Sequence, residues 1–294
     1  MTNNEKIFAW QGISFKIPKD WDLNTFSGDY KEGYLRLDNP EKICLELRWR
    51  REKRQIATDS ILKNYISNLE KKAKKQKINL ENIKPDKEFI KTRLKDKEAN
   101  FFAWKIISSG TQNNSSKMLG FVSQCNRCHT ILMAQFFFNE DESPIVSEIL
   151  KSLEDHPVSA YTQWALFDFS FSIPSEFNLD KCSLKSGYLE FIFSNADSNI
   201  KIKRWGLAEM LLREKTINEW SRAIAPSTLR SLILNAEVKR SKDHQSTEVT
   251  LQRWKWQAFY ARRCETENKL FALEYSGKKN EKMFAEICSR IKCG

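Results

Sequence analysis

The residues with the most chemical potential for their number are Cys125, Asn126, Arg127, Cys128 and His129. Read as C-x-x-C-H, they spell the attachment signature of a c-type haem. The opening MTNNEKIFAW carries no apolar run of the kind an export signal needs, which argues against haem attachment outside the cytoplasm. Zinc is the intermediate reading: Cys125 and Cys128 supply half of a tetrahedral site and His129 a third ligand, while a fourth must come from elsewhere. Neither Cys44, Cys182, Cys288 nor Cys293 forms a second C-x-x-C pair. Redox chemistry at the two thiols would need a helix N-terminus to acidify one of them, and none is expected there. The plainest reading is a hairpin between two apolar strands, with Cys125 packed at a strand end.

A second candidate lies in cations interleaved with aromatics. Arg48, Trp49, Arg50 and Arg51 form one run, and Arg253, Trp254, Lys255, Trp256, Phe259, Tyr260, Arg262 and Arg263 a denser one. Such a surface can hold phosphates and stack bases. Strand alternation separates Arg253 and Lys255 from Trp254 and Trp256, which favours an aromatic core with a solvated basic face. Lys71, Lys72, Lys74, Lys75 and Lys77 make the densest positive patch, on a helix. The candidate nucleic-acid contacts are therefore Arg50, Arg51, Lys71, Lys74, Lys75, Arg253, Lys255, Arg262 and Arg263. His156 and His244 fall in polar connections. No Gly-rich phosphate loop, G-x-S-x-G elbow or H-E-x-x-H is present, so no catalytic residue and no cofactor are assigned.

The elements that must position these residues occur twice. Ile13 to Trp49 and Phe169 to Trp205 share their order of landmarks: Ile17-Pro18 with Ile173-Pro174, Trp21 with Phe177, Leu23 with Leu179, and Gly33-Tyr34-Leu35 with Gly187-Tyr188-Leu189. We read a tandem duplication, with repeats at 1–157 and 158–294 meeting where Pro157 blocks a helix. Each repeat opens with a half-buried strand ending at the proline, followed by a loop and a hairpin. Trp205 or Arg204 answers to Trp49, depending on a bulge in the return strand. A helix follows, with Ile61, Leu62, Tyr65, Ile66, Leu69 and Ala73 as one stripe in the first copy and a Thr216/Glu219 capping box in the second. Three more strands and a short helix close each copy, and Cys264 to Asn268 stand where the first copy has Cys125 to His129. The expected class is α+β: two tandem repeats, each β-β-β-α-β-β-β-α, with a mainly antiparallel sheet flanked by helices in an α-β-α sandwich.

That order of elements, the repeat length and the strand ending in Ile-Pro with an aromatic three residues beyond resemble the PsbP-like fold superfamily, which includes the PsbP, Mog and DcrB types. The resemblance implies a sandwich that binds other macromolecules, without catalysis of its own, and carries over no functional residue.

With 294 residues and 40% hydrophobic residues the chain can bury two cores, and its net charge of +11 is spread over both halves rather than concentrated in one. Seven cysteines without a secretion signal point to reduced thiols and a cytoplasmic protein with no membrane span. The expectation is a non-enzymatic binding or adaptor protein with a protein partner. Nucleic-acid binding through the basic surface, and metal binding at Cys125, Cys128 and His129, are the alternatives.

Overall fold

The computed structural model describes residues 5–76, 78–85, 97–107, 116–139, 142–157 and 159–293. Lys77, expected on the first basic helix, lies outside the described residues. The fold is mixed α+β, and its contacts divide the chain into a first unit of residues 1–158 with 164–167 and a second of 159–163 with 168–294. Among the described residues no helix is long and apolar enough to cross a membrane.

In the first unit, β1 (Glu5–Trp10) and β2 (Ile13–Pro18) form a hairpin. The strands β3 (Asp22–Gly28), β4 (Glu32–Asp38), β5 (Ile43–Arg51), β6 (Asn79–Ile83), β7 (Lys97–Ile107), β8 (Ser116–Cys125) and β9 (Thr130–Phe138) form a seven-stranded antiparallel sheet in the order 3-4-5-9-8-7-6. Among the described residues of this unit the helices are α1 (Thr58–Gln76) and α2 (Ser143–Ser152). Alternation puts Leu35, Leu37, Leu45 and Leu47 on one buried face, and β2 packs against α2 through an apolar set that includes Ile13, Ile17, Val146 and Ile149. On the other face Leu62, Tyr65, Ile66 and Leu69 of α1 pack on Phe102, Trp104 and Met118. The helical stripe read from the sequence does this work, except that Ile61 faces a groove instead.

After β10 (Tyr161–Leu166), of which Trp164–Leu166 count with the first unit, β11 (Phe169–Pro174) precedes β12 (Asn178–Lys185), β13 (Tyr188–Ser194), β14 (Asn199–Gly206), β15 (Val238–Arg240), β16 (His244–Gln252), β17 (Trp256–Cys264) and β18 (Lys269–Gly277) in the second unit. The last seven form a sheet ordered 12-13-14-18-17-16-15, the same pattern as in the first unit. The helices are α3 (Ala208–Leu211), α4 (Ile217–Ile224), α5 (Arg230–Leu234) and α6 (Glu281–Arg290), and β19 (Lys292–Cys293) pairs with β11. Phe169 and Phe171 of β11 pack on Phe191 of β13 at 6.4 and 5.2 Å between ring centroids. Trp220 of α4 meets Trp205 edge-on at 5.0 Å on the opposite face. The capping box of Thr216 and Glu219 is formed, and α4 stops before Pro226, with a 3₁₀ turn over Ser227–Leu229 leading into α5. Asn280 caps α6 by accepting the Met283 amide at 3.0 Å. Asn280→Ala should lower stability by about 1 kcal/mol in chemical denaturation. An unchanged midpoint would show that water replaces the cap.

Three expectations are corrected. The order β-β-β-α-β-β-β-α is too short, because each unit places five strands before its first helix and four after the helical segment, up to its closing helix. The stretches expected as loops after Ile-Pro are the edge strands β3 and β12, whose side chains are mostly solvated and so carry no apolar alternation. The Gly-Tyr-Leu landmarks are two residues out of register: Leu35 lies opposite Leu47, whereas Leu189 lies opposite Arg204. Setting Cys125 equal to Cys264 makes Leu132 answer to Phe271. Their partners on the next strand are Trp49 and Arg204, so Arg204 and not Trp205 takes the place of Trp49.

Candidate functional site

The hairpin joining β8 to β9 turns over Asn126 to Cys128, and His129 closes it in the left-handed region at φ 57°. Asn268 has the same role in the second unit at φ 49°, so the position selects a residue tolerant of positive φ. The His129 backbone is committed to the turn, with its N–H donating to the Cys125 carbonyl at 3.1 Å and its carbonyl accepting from Gln124 Nε2 at 3.1 Å.

The side chains whose ligand-type atoms group with the two cysteines are those of two other residues, and His129 is not in that group. The two are Asp155 and His156, in the segment following α2. An antiparallel bridge between Ser14 and Glu154 lays that segment beside β2. One ligand-type atom from each of Cys125, Cys128, Asp155 and His156 lies within 4.8 Å of all the others. Asp155 is fully buried, and its carboxylate lies 2.7 Å from His156 Nδ1, which also faces Cys125 Sγ at 3.8 Å. The Arg127 N–H donates to Cys125 Sγ at 3.4 Å. Cys128 Sγ lies 3.0 Å from the Thr130 hydroxyl.

This geometry opposes nucleophilic catalysis. One nitrogen, Nδ1, faces both the thiol and the carboxylate, so the imidazole cannot take a proton on one side and be steadied on the other. Burial pushes the Cys125 thiol up to about 11, and the amides of Cys128 and Arg127 offset this only in part. No sequence spacing announced His156. The nearest signal is its place beyond α2, where the second unit puts Cys293 beyond α6.

In that second unit His244, Cys264 and Cys293 form a smaller cluster at the corresponding end of the sheet. His244 Nε2 is 3.3 Å from Cys293 Sγ, and Arg262 reaches the same sulfur at 3.5 Å while donating to the Ile291 carbonyl at 2.6 Å. Burial pushes the Cys293 thiol up to about 12. Burial and the Arg262 charge together hold the His244 imidazole below its ordinary value. All seven cysteines are free thiols.

The basic candidates divide between the units. Arg50, Arg51, Lys71, Lys74 and Lys75 belong to the first, and Arg253, Lys255, Arg262 and Arg263 to the second. Two of them are structural. Arg51 donates to the carbonyls of Tyr30 and Gln11 and stacks on Tyr30 at 3.7 Å, and Arg262 is held as described. Arg50 pairs with Glu52 at 2.6 Å. Lys71, Lys74 and Lys75 are exposed on α1, and Arg263 is half-buried. Arg253, Trp254 and Lys255 form the exposed turn between β16 and β17. Trp254 is fully exposed, contrary to the expected alternation, while Trp256 is buried. The alternation fails because it holds only while the strand continues, and β16 ends at Gln252.

Because α1 covers only the β6 to β8 side of its face, the β4–β5–β9 side of the first sheet is left as a groove of about 410 Å³. Tyr34, Arg48, Arg50, Ile61, Ile131 and Met133 line it. Arg48 lies over the Tyr34 ring at 5.2 Å, and the Tyr34 hydroxyl donates to Glu46 at 2.7 Å. Burial together with that carboxylate pushes the phenol up to about 12. The groove floor depends on Gly33, where any Cβ would overlap the Trp49 ring. The matching face of the second unit is self-neutralised: Lys203 pairs with Glu274 at 2.5 Å and Lys201 with the same carboxylate at 3.6 Å. Arg48 makes no salt bridge among the described residues.

No family model and no curated protein matches this chain. Among solved structures, it is similar to immunity protein TplEi of the T6SS from Pseudomonas aeruginosa, complexed with "L" peptide, at 9% identity and a TM-score of 0.33 over 100% of this chain and 99% of that one.

Proposed function

We propose that the chain is a non-enzymatic binding or adaptor protein, built from two copies of one PsbP-like α+β unit, and that the first unit takes a segment of a protein partner in its open sheet groove. The groove carries the reading. It joins Tyr34 and Met133 to the cations Arg48 and Arg50, with Tyr, Met and Arg among the residue types enriched at protein interfaces. Its volume suits a few side chains rather than a folded surface. The charge asks for a carboxylate on the partner, and Arg48 is the cation left without one. The shared strand order and the paired left-handed turns at His129 and Asn268 support the duplication.

Selection of displayed peptides on the full chain tests this. Binders should be enriched in Asp or Glu beside an apolar anchor, and Arg48→Glu should weaken them at least about tenfold, since a charge-assisted contact contributes roughly 1.5–3 kcal/mol. Peptides indifferent to Arg48→Glu and Tyr34→Ala would sink the groove. Retention of DNA or RNA at low salt, lost on Lys71→Glu with Lys74→Glu and Lys75→Glu, would favour the nucleic-acid reading instead.

A further inference from the structure

We propose that Cys125, Cys128, Asp155 and His156 form a binding site for one Zn²⁺ ion in the first unit. Two thiolates, an imidazole nitrogen and a carboxylate oxygen are a donor set that selects zinc over calcium or magnesium. The positions agree with the chemistry. With Zn–S near 2.3 Å and Zn–N near 2.0 Å, a tetrahedral ion separates its sulfur and nitrogen ligands by roughly 3.5 Å. Cys125 Sγ and His156 Nδ1 already stand 3.8 Å apart. The ion replaces the contact between His156 Nδ1 and Asp155, so those two ligands open by roughly half an ångström.

The Arg127 N–H points at the Cys125 sulfur at 3.4 Å, an outer contact that a metal-bound sulfur can keep. Two thiolates and a carboxylate around Zn²⁺ leave one negative charge, and the Arg51 guanidinium lies close enough to Cys128 and Asp155 to feel both. Its own hydrogen bonds go to the carbonyls of Gln11 and Tyr30, so it balances the site without occupying a ligand position.

The second cluster explains why the count is one. His244, Cys264 and Cys293 offer three ligands rather than four, and Arg262 donates to the Cys293 sulfur that a cation would need. A guanidinium in contact with a ligand atom repels a dication.

Full-length protein, stripped with a chelator and reconstituted with Zn²⁺ or Co²⁺, tests the site. The expected result is one ion per chain. The Co²⁺ form should show intense tetrahedral d–d bands and a sulfur-to-cobalt charge-transfer band that weakens in Cys128→Ser. His156→Ala should cost more than the roughly 10–100-fold in affinity typical of losing an outer partner, while His129→Ala and Cys264→Ser leave affinity unchanged. The melting temperature of the wild type should rise with added Zn²⁺. Absence of a charge-transfer band in the wild type, or no stoichiometric uptake, would overturn the proposal without relying on any variant's folding. So would two ions per chain, or equal losses in His129→Ala and His156→Ala.

Discussion

Phe171→Ala is expected to lower the unfolding free energy of the second unit by about 4 kcal/mol. The ring is 1% exposed and meets Phe169, Phe191 and Phe193 at centroid distances of 5.0, 5.2 and 6.0 Å. Its removal forfeits the burial of one aromatic side chain and leaves a cavity walled by other rings. Those rings are fixed by strand backbone on two layers, so the space cannot close by rotation of one side chain. Phe171→Leu keeps most of the volume and should cost about 1 kcal/mol. Urea titrations followed by circular dichroism separate the two. A Phe171→Ala cost below 1 kcal/mol would mean that β11 does not pin the sheet.

The second large effect is electrostatic. Asp168→Ala should cost about 3 kcal/mol, because it strands two buried cations. Arg204 donates to both carboxylate oxygens of Asp168, and Lys269 Nζ lies 2.7 Å from it. Arg204 and Lys269 are only 8% and 5% exposed. The figure sits at the low end of the range for buried pairs because the Asp168 side chain is 42% exposed, and Glu267 still reaches Lys269 at 3.1 Å. Burial pushes the Asp168 carboxyl up, but the Lys269 and Arg204 charges outweigh this and hold it below its ordinary value. A depressed folded value means that the carboxylate stabilises the fold above its unfolded pKa of about 3.9, and that this contribution fades as pH falls through the lower folded value. The difference between wild type and Asp168→Ala should therefore be constant from pH 6 to 8 and shrink in acid. A difference that grows in acid would invert the assignment.

Strand register matches Arg204 to Trp49 and Lys269 to Thr130, and the turns before β2 and β11 match Asp168 to Gly12. Trp49 instead turns its indole N–H to the Asp29 carbonyl at 3.0 Å, so the first unit has no counterpart of the Asp168 ion pairs at these positions.

The legible parts of the molecule were those in which one physical pattern dominates a run of residues. The strands ending at Pro18 and Pro174, the α1 stripe and the Thr216 box all have one buried face or one cap chemistry, and each is present. The edge strands β3 and β12 were illegible because cross-strand hydrogen bonds to β4 and β13, not side-chain burial, define them. Trp254 lies beyond the end of β16, where strand alternation no longer dictates which side chains are buried. At the candidate site the cysteine pair was readable from its spacing. The identity of the histidine was not, since His156 reaches Cys125 only through the docking of the segment after α2 beside β2, a contact between residues far apart in sequence.

The strand order shared by both sheets also bears on how the chain reaches its native state. In the first unit, the seam that joins β5 to β9 closes a loop of roughly 80 residues, an entropic cost of about 4 kcal/mol. The second unit closes its β14–β18 seam over roughly 60 residues, at a cost lower by only a fraction of 1 kcal/mol. In both units the central seam joins the strands farthest apart in sequence within that sheet's neighbouring pairs, and it is expected to form after the local pairings.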